Sequence, residues 1–135
     1  MGGVERRTRD LGLPLVVLAE DNVQLRTLLG LALELTGYPV SLAETGAHLV
    51  AVVEAIAARG ETVGLIITDV RMPVIGGFDA VRVLRESGHA APLIFMTAYR
   101  DAWTRSKAIE LGALLLDKPV SIAVLRAAVR VVLAM

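Results

Sequence analysis

The stretch GLIITDVRMPVIGGFD, residues 64–79, contains the pattern that decides the fold. The apolar and β-branched run 65–68 leads directly into Asp69, which predicts a buried strand that ends on a carboxylate. Because an ionised carboxylate is costly to remove from water, an acid in this position needs a cation beside it or a chemical role. The Met-Pro pair at 72–73 and the Gly-Gly pair at 76–77 indicate a shaped loop after the strand.

Short apolar runs alternate with helical patterns along the rest of the chain. The predicted strands cover residues 13–21, 38–44, 63–69, 91–98 and 113–117. Each is followed by a helical pattern, and four of the five patterns stop at a glycine: Gly37, Gly60, Gly88 and Gly112. Asp101 and Ser121 are the predicted N-caps of the fourth and fifth helices. Five strand–helix units in series predict one parallel sheet with helices on both faces.

Length and composition limit the classes of function. A chain of 135 residues suits one domain, and we expect residues 1–13 to form a flexible arm before a domain over 14–135. The formal net charge is zero, so the basic surface typical of nucleic-acid binding is not expected. The sequence has no cysteine, no apolar run long enough to span a membrane and no apolar segment typical of a signal peptide. We therefore expect a soluble cytoplasmic protein that makes no direct contact with nucleic acid or membrane.

Residues with chemical potential stand where the predicted strands end. They are Glu20-Asp21, Asp69, Thr97-Ala98 and Asp117-Lys118. Because the carboxyl ends of parallel strands share one edge of the sheet, where ligands bind in such folds, we expect these groups to converge. Carboxylates that lie close together repel each other unless a cation joins them, and oxygen ligands without His or Cys favour Mg²⁺.

The same residues suit phosphoryl transfer. A carboxylate such as Asp69 can act as a nucleophile and form an aspartyl phosphate, and the reaction then needs positioning and neutralisation of charge. Lys118 is one of two lysines among the 14 Lys and Arg residues, which favours a compact point charge at this position. The Thr97 hydroxyl and the Ala98 N–H are candidate donors to a phosphoryl oxygen. Taken singly, Asp69 also fits a strand-end turn, and Glu20-Asp21 also fit the cap of the first helix.

These segments resemble those of the receiver domain of bacterial two-component response regulators. The resemblance covers about residues 14–134 and rests on four pieces in order: Glu20-Asp21-Asn22, DVRMP at 69–73 with Gly77, TAYRD at 97–101 and DKP at 117–119. It implies a flavodoxin-like (βα)5 fold, a doubly wound parallel sheet of five strands in the order 2-1-3-4-5. It also implies a phosphorylation switch rather than a metabolic enzyme, since such a domain catalyses only its own phosphorylation and dephosphorylation.

The resemblance implies a role for each matching residue. Asp69 would accept a phosphoryl group from the phosphohistidine of a histidine kinase or a phosphotransfer protein. Mg²⁺ would be bound by Glu20, Asp21, Asp69 and the backbone carbonyl of Arg71. The phosphoryl group would be contacted by the Thr97 hydroxyl, the Ala98 backbone N–H and Lys118. Gly77 would close the loop after the third strand. Arg71 stands two residues after Asp69 and would lie near the attacking water, so we expect it to modulate dephosphorylation.

Three positions depart from the pattern of the family. Leu115 stands three residues before Lys118, where the family usually has the Tyr or Phe that reports phosphorylation by rotating. Gly112 lies one residue closer to Lys118 than usual, which indicates a one-residue deletion at the end of the fourth helix or in the fifth strand. Gly76 replaces a frequent Asp or Asn and removes no ligand. A rotating aromatic at position 115 therefore cannot report phosphorylation in this chain.

Two predicted helices carry more apolar residues than one buried face needs. In the fifth helix, one stripe is the predicted core contact, and a second, roughly opposite stripe comprises Val124, Ala128, Val131 and Met135. Trp103, early in the fourth helix, is either a partly buried core contact or an exposed anchor for a partner. Because exposed apolar patches mark partner sites, we expect a homodimer, or contact with a fused or partner segment, through the fourth and fifth helices. Leu31 and Leu35 make the first helix a second candidate surface.

The sequence is also compatible with three other functions. A phosphatase with an aspartyl nucleophile, of the haloacid dehalogenase type, would need a second Asp where Arg71 stands. A receiver-like module that binds partners without phosphorylation is favoured by Leu115 and the deletion, and opposed by the complete acidic and lysine set. An FMN-binding flavodoxin-like protein would need a phosphate-binding loop after the first strand, and the sequence shows no such loop there.

Overall fold

The structure, a computed structural model, describes residues 12–135 as five strands that alternate with five helices. In chain order the elements are β1 (Leu15–Ala19), α1 (Val23–Thr36), β2 (Val40–Ala43), α2 (Gly46–Ala58), β3 (Val63–Asp69), α3 (Gly77–Glu86), β4 (Leu93–Thr97), α4 (Ala102–Glu110), β5 (Leu114–Asp117) and α5 (Ile122–Leu133). Their types and order agree with the alternation predicted from the sequence. Of the arm predicted over residues 1–13, residues 1–11 lie outside the described part of the chain.

All five strands are parallel and form one sheet in the order β2-β1-β3-β4-β5, which confirms the predicted flavodoxin-like topology. The order reverses at β1, since β2 and β3 lie on opposite sides of it. In the register of neighbouring strands, Asp69 pairs with Met96 and Thr97 pairs with Asp117. The carboxyl ends of β1, β3, β4 and β5 therefore meet at one edge, next to the point where the strand order reverses.

Two apolar layers hold the helices on the sheet, because successive strand residues point to opposite faces. On one face, Val17 and Phe95 pack with residues of α2 and α3, and on the other face Leu18 and Ile67 pack with residues of α1 and α5. β1 and β4 are buried throughout, which explains their continuous apolar sequences. β5, at the edge, is only half-buried. None of the helices within residues 12–135 is both long and apolar enough to cross a membrane.

The ends of the helices follow the sequence signals. Each of the four glycines predicted to end a helix has a positive φ, the conformation that favours glycine over other residues. Asp101 and Ser121 cap α4 and α5 with their side chains, as predicted. The cap of α1 is Asn22, whose side chain accepts a hydrogen bond from the Leu25 N–H at 2.8 Å. The carboxylates of Glu20-Asp21 are therefore not used as the cap of this helix.

The outer surface of α4 and α5 differs from the prediction at one residue. Ala128 is buried, because it lies three residues after Leu125 and four before Val132, on the stripe that faces the sheet. The assignment of Ala128 to the outer stripe is therefore wrong. The other members of that stripe are exposed: Val124, Val131 and Met135. Trp103 is 61% exposed, and its ring meets Phe78 edge-on with 5.7 Å between the centroids.

Candidate functional site at the carboxyl edge of the sheet

Three carboxylates converge at the carboxyl edge of the sheet. Glu20 and Asp21 follow β1, and Asp69 is the last residue of β3. One carboxylate oxygen from each residue lies within 4.8 Å of the others. Glu20 and Asp69 are buried, whereas Asp21 is exposed to solvent. Parallel pairing of β1 and β3 thus brings together acids from distant segments of the chain, with one of them open to solvent.

Lys118 contributes a positive charge to this cluster. Its Nζ lies 2.7 Å from Asp69 Oδ1 and 2.9 Å from Glu20 Oε1. The Lys118 backbone N–H donates to the Thr97 carbonyl at 2.8 Å, so the end of β5 is fixed to the end of β4. The Lys118 side chain is 24% exposed, and its ammonium therefore interacts with both buried carboxylates in a poorly solvated environment.

The pKa values of these groups reflect burial and mutual contact. Burial, and then the neighbouring Glu20, raise the pKa of Asp69 to about 8, although Lys118 acts in the opposite direction. Burial also disfavours the charge of Glu20, but its hydrogen bonds and the Lys118 ammonium lower its pKa overall. Burial disfavours the charge of Lys118, yet the two carboxylates raise its pKa overall. Burial and the nearby Glu20 therefore disfavour the charged form of Asp69 when Lys118 is the sole cation beside it in residues 12–135.

The oxygen atoms of the cluster fit a hard divalent cation. Glu20 Oε1 and both carboxylate oxygens of Asp69 are buried, and none accepts a well-aligned hydrogen bond within residues 12–135. Lys118 lies at ion-pair distance from two of these atoms, so its single charge is shared by two buried carboxylates, with the Asp21 carboxylate close to both. Buried polar atoms normally have a hydrogen-bond partner or an ion. Since the donors are oxygens without His or Cys, Mg²⁺ is the cation that suits them best.

A cavity of ≈ 160 Å³ opens over Asp69. Its walls are formed by Asp69, Arg71, Met96, Thr97, Ala98, Tyr99 and Lys118. The structure therefore brings the predicted acceptor, the predicted phosphoryl contacts and Arg71 to one cavity. In the present conformation, the Thr97 Oγ1 donates to the Tyr99 carbonyl at 3.2 Å and accepts from the Tyr99 N–H at 3.0 Å. The hydroxyl is thus bonded to its own loop.

Tyr99 is a residue of the cavity that the sequence reasoning missed. Its ring lies under the Arg71 guanidinium, with 5.1 Å from the Arg71 Cζ to the ring centroid, which is a cation–π contact. The signal was present in the spacing, because Arg71 stands two residues after Asp69 and Tyr99 stands two residues after Thr97. Equal offsets from two neighbouring strand ends bring the two residues to the same edge of the sheet, while the direction of their side chains is set by the loops.

Two further residues orient Glu20 and were also missed. The Asn22 N–H donates to Glu20 Oε2 at 2.9 Å, so Asn22 both caps α1 and positions the carboxylate. Arg26, one turn further along the helix, donates to the backbone carbonyl of Glu20 at 2.8 Å. Arg26 also lies 3.9 Å from the Glu44 carboxylate at the end of β2. The loop between β1 and α1 is therefore fixed from both sides.

The loop after Asp69 is closed by a glycine. A Cβ on Gly77 would lie 2.0 Å from the Asp69 carbonyl oxygen, and the Gly77 N–H donates to the Val70 carbonyl at 2.9 Å. No larger residue fits this approach without moving the backbone of the acceptor. Within the same loop, Val74 has a φ of 67° and is fully exposed. A β-branched residue is disfavoured in this left-handed conformation, so the loop is locally strained.

The fold and the site together define the class of the protein, a flavodoxin-like α/β domain with an acidic pocket at the carboxyl edge of its sheet. Residues 16–130 match the family described as the response regulator receiver domain, and the chain belongs to this family. It is 33% identical over 122 residues to the probable transcriptional regulatory protein SilR of Salmonella typhimurium, which covers 87% of this chain and 50% of SilR. It is 35% identical over 112 residues to the sensor protein EvgS of Escherichia coli (strain K12), which covers 82% of this chain and 9% of EvgS. The chain thus spans half or less of the length of these relatives.

Solved receiver structures share the fold. The chemotaxis protein CheY4 of Vibrio cholerae superposes with a TM-score of 0.78 at 25% identity, covering 89% of this chain and 98% of that one. A CheY-like receiver domain from Methanospirillum hungatei JF-1 gives a TM-score of 0.80 at 21% identity. The superposition covers 90% of this chain and 94% of that domain. The DrrB receiver domain, described as BeF3-activated, gives a TM-score of 0.73 at 21% identity. The superposition covers 91% of this chain and 99% of the DrrB domain.

Proposed function

We propose that this chain is a phosphorylation switch in which Asp69 accepts a phosphoryl group from the phosphohistidine of a histidine kinase or a phosphotransfer protein. One observation carries the proposal. The Asp69 carboxylate is buried beside the Lys118 ammonium and two further carboxylates, and it faces a cavity walled by Thr97 and Ala98. A structural acid has no need of this combination, whereas an acceptor of a phosphoryl group does.

In the proposed step, Asp69 has lost its proton to solvent, a loss that bound Mg²⁺ would favour, and one of its carboxylate oxygens attacks the phosphorus of the phosphohistidine. The P–O bond forms as the N–P bond breaks, and the imidazole nitrogen keeps the electron pair of the broken bond. Lys118, already 2.7 Å from Asp69 Oδ1, offsets the negative charge on the transferred group. The Ala98 N–H and the Thr97 hydroxyl, once it leaves Tyr99, would donate to the phosphoryl oxygens.

A bound Mg²⁺ would neutralise part of the charge on the phosphoryl group and on the acids. Glu20, Asp21 and Asp69, with the backbone carbonyl of Arg71, are the residues that would hold it. Glu20 is already oriented by Asn22, and the exposed Asp21 leaves the site open to solvent. Arg71, stacked on Tyr99 at the cavity wall, would limit the access of water and so modulate dephosphorylation.

The partners that we propose follow from the family and from the surface. SilR is named as a transcriptional regulatory protein and EvgS as a sensor protein, so a donor kinase and an output partner are both expected for this chain, in the cytoplasm. Trp103 on α4, Val124 and Val131 on α5 and Met135 after α5 are exposed apolar residues, and we propose that they take part in a homodimer contact. Leu31 and Leu35 on α1 are exposed as well and form a second candidate surface. Sedimentation with and without a phosphoryl analogue tests the dimer, and a monomer in both states would contradict it.

Incubation with Mg²⁺ and acetyl phosphate tests the acceptor directly. The wild type and an Asp79→Asn variant should form a phosphate adduct on a phosphate-retention gel, and Asp69→Asn should form none. Asp79 is a matched control, because it is an exposed aspartate on α3 outside the cavity. No adduct on the wild type, or an adduct that persists on Asp69→Asn, would overturn the proposal.

A second candidate function is a receiver-like module that binds partners without phosphorylation. The observation that favours it is Leu115, which is half-buried in β5 and offers no aromatic ring to report a change at Asp69. This function predicts self-association or partner binding that is the same for the wild type and Asp69→Asn, with or without a phosphoryl donor. The proposed switch predicts that the two proteins differ once the donor is present.

A further inference from the structure

The loop between β4 and α4 is held by contacts on both sides. On the inner side, both hydrogen-bonding roles of the Thr97 hydroxyl are taken by the backbone of Tyr99, at 3.0 and 3.2 Å. On the outer side, Arg100 reaches across to β5. Its Nε lies 2.8 Å from Asp117 Oδ1, and its Nη2 donates to the Leu115 carbonyl at 2.8 Å. One guanidinium therefore connects this loop to two residues of the neighbouring strand.

The contact lies on the open edge of the sheet. β5 is an edge strand, and the Lys118 N–H points inward to the Thr97 carbonyl. Because backbone groups alternate sides along a strand, the Leu115 carbonyl points away from β4. An unpaired carbonyl on an edge strand is a site to which another chain can bind. Arg100 covers this carbonyl at the residue where the family usually has its reporting aromatic.

We propose that Arg100 is a latch that holds the β4–α4 loop against the edge of β5 while Asp69 is unphosphorylated, and that opens when Thr97 turns to the phosphoryl group. The inference rests on the proposed function of Asp69. A hydroxyl has one hydrogen to donate, so Thr97 must release the Tyr99 carbonyl before it can donate to a phosphoryl oxygen. This release frees the backbone directly before Arg100. Closing of the latch and binding of the phosphoryl group therefore oppose each other.

The opened latch would change what a partner meets. The Asp117 carboxylate and the Leu115 carbonyl become available on the edge of β5, and the Arg100 guanidinium becomes mobile next to α4. A change of surface charge and of strand-edge hydrogen bonding thus takes the place of a rotating ring. Linkage requires that loss of the latch strengthens binding of a phosphoryl group by the same factor by which the group weakens the latch. For a partly exposed ion pair, we expect about threefold to fivefold.

Titration with beryllofluoride in the presence of Mg²⁺ tests the latch. Beryllofluoride is a stable analogue of a phosphoryl group, and Trp103, the only tryptophan, reports binding by fluorescence from α4. Arg100→Ala and Asp117→Asn should each bind it more tightly than the wild type. Arg100→Lys should behave like Arg100→Ala, because an ammonium does not reproduce the two-pronged contact of a guanidinium. The gain in the urea denaturation midpoint on adding beryllofluoride gives a second measure of binding that does not depend on fluorescence.

Arg105→Ala is the matched control, since Arg105 is exposed on α4 and has no side-chain partner within residues 12–135. It removes the same charge and should leave the affinity unchanged. Equal or weaker binding by Arg100→Ala, or equal strengthening by Arg105→Ala, would overturn the latch while the proposed function stands. A wild type that binds no beryllofluoride by either measure would overturn the proposed function and the latch together. The combined variant of Arg100→Ala and Asp117→Asn should gain less than the product of the single gains, because both remove one contact.

Discussion

The affinity of the acidic cluster for Mg²⁺ should depend steeply on pH. The cluster consists of Glu20, Asp21 and Asp69, and in the metal-free protein Asp69 keeps its proton up to a pKa of about 8. A carboxyl group must lose this proton before it binds a metal, so metal binding and proton release are coupled. Below this pKa the affinity therefore rises with pH, and above it the affinity levels off.

The size of the effect follows from this one pKa. With a pKa of about 8, the ionised fraction of Asp69 is about 1% at pH 6, about 9% at pH 7 and about 50% at pH 8. The apparent association constant is proportional to the ionised fraction, so it should rise about 50-fold from pH 6 to pH 8, or about 2.3 kcal/mol. At pH 7, the binding of one Mg²⁺ should release about 0.9 of a proton.

Isothermal titration calorimetry at pH 6, 7 and 8 measures both quantities. At each pH, two buffers with different ionisation enthalpies separate the released proton from the heat of binding. Asp69→Asn should bind Mg²⁺ more weakly and with little dependence on pH, whereas Asp79→Asn should follow the wild type. A wild-type association constant that stays constant over this range, with no proton released at pH 7, would refute the reasoning.

Four substitutions test the fold around the site and the outer face of α5, each by urea denaturation. Gly77→Ala should destabilise the protein by about 3 kcal/mol, because its Cβ would meet the Asp69 carbonyl at 2.0 Å, and an unchanged midpoint would contradict this. Val74→Asn should stabilise by about 1 kcal/mol, since Asn tolerates a φ of 67° better than Val does, and a loss of stability would count against strain there. Ala128→Asp should destabilise the protein by about 3 kcal/mol or more, because Ala128 is buried. Val131→Asp should change stability by less than about 0.5 kcal/mol and weaken self-association in sedimentation, because Val131 is exposed. Equal losses of stability in the two variants would contradict the assigned burial.

Much of the architecture could be predicted because it depends on repeating local patterns. Buried parallel strands read as short apolar runs, and glycines and capping side chains mark where helices end. The convergence of Asp69 with Glu20-Asp21 also followed without knowledge of any side chain. Parallel pairing alone brings the carboxyl ends of strands to one edge, so the residues after each strand must lie close together.

The remaining features depend on side-chain geometry that has no period in the sequence. The error at Ala128 arose because α5 is apolar on more than one side, so two stripes could be drawn through it and only packing decides between them. Tyr99 over Arg71, and Arg100 on the edge of β5, lie in a loop whose side chains could point in several directions. Their contacts follow from where neighbouring loops end in space, and not from any spacing within one segment.

The electrostatics of the pocket connect these loop contacts to the acceptor. An acyl phosphate carries more negative charge than the carboxylate that it replaces, and Lys118 is already shared between Asp69 and Glu20. The added charge therefore needs further donors, and two that line the cavity are the Thr97 hydroxyl at the end of β4 and the Ala98 N–H on the loop that Arg100 holds. In the proposed latch, the same movement of the β4–α4 loop would bring these donors to the phosphoryl group and release Arg100 from β5. Under the proposed latch, a chain with Leu115 in place of an aromatic would pass the state of Asp69 to the surface of β5.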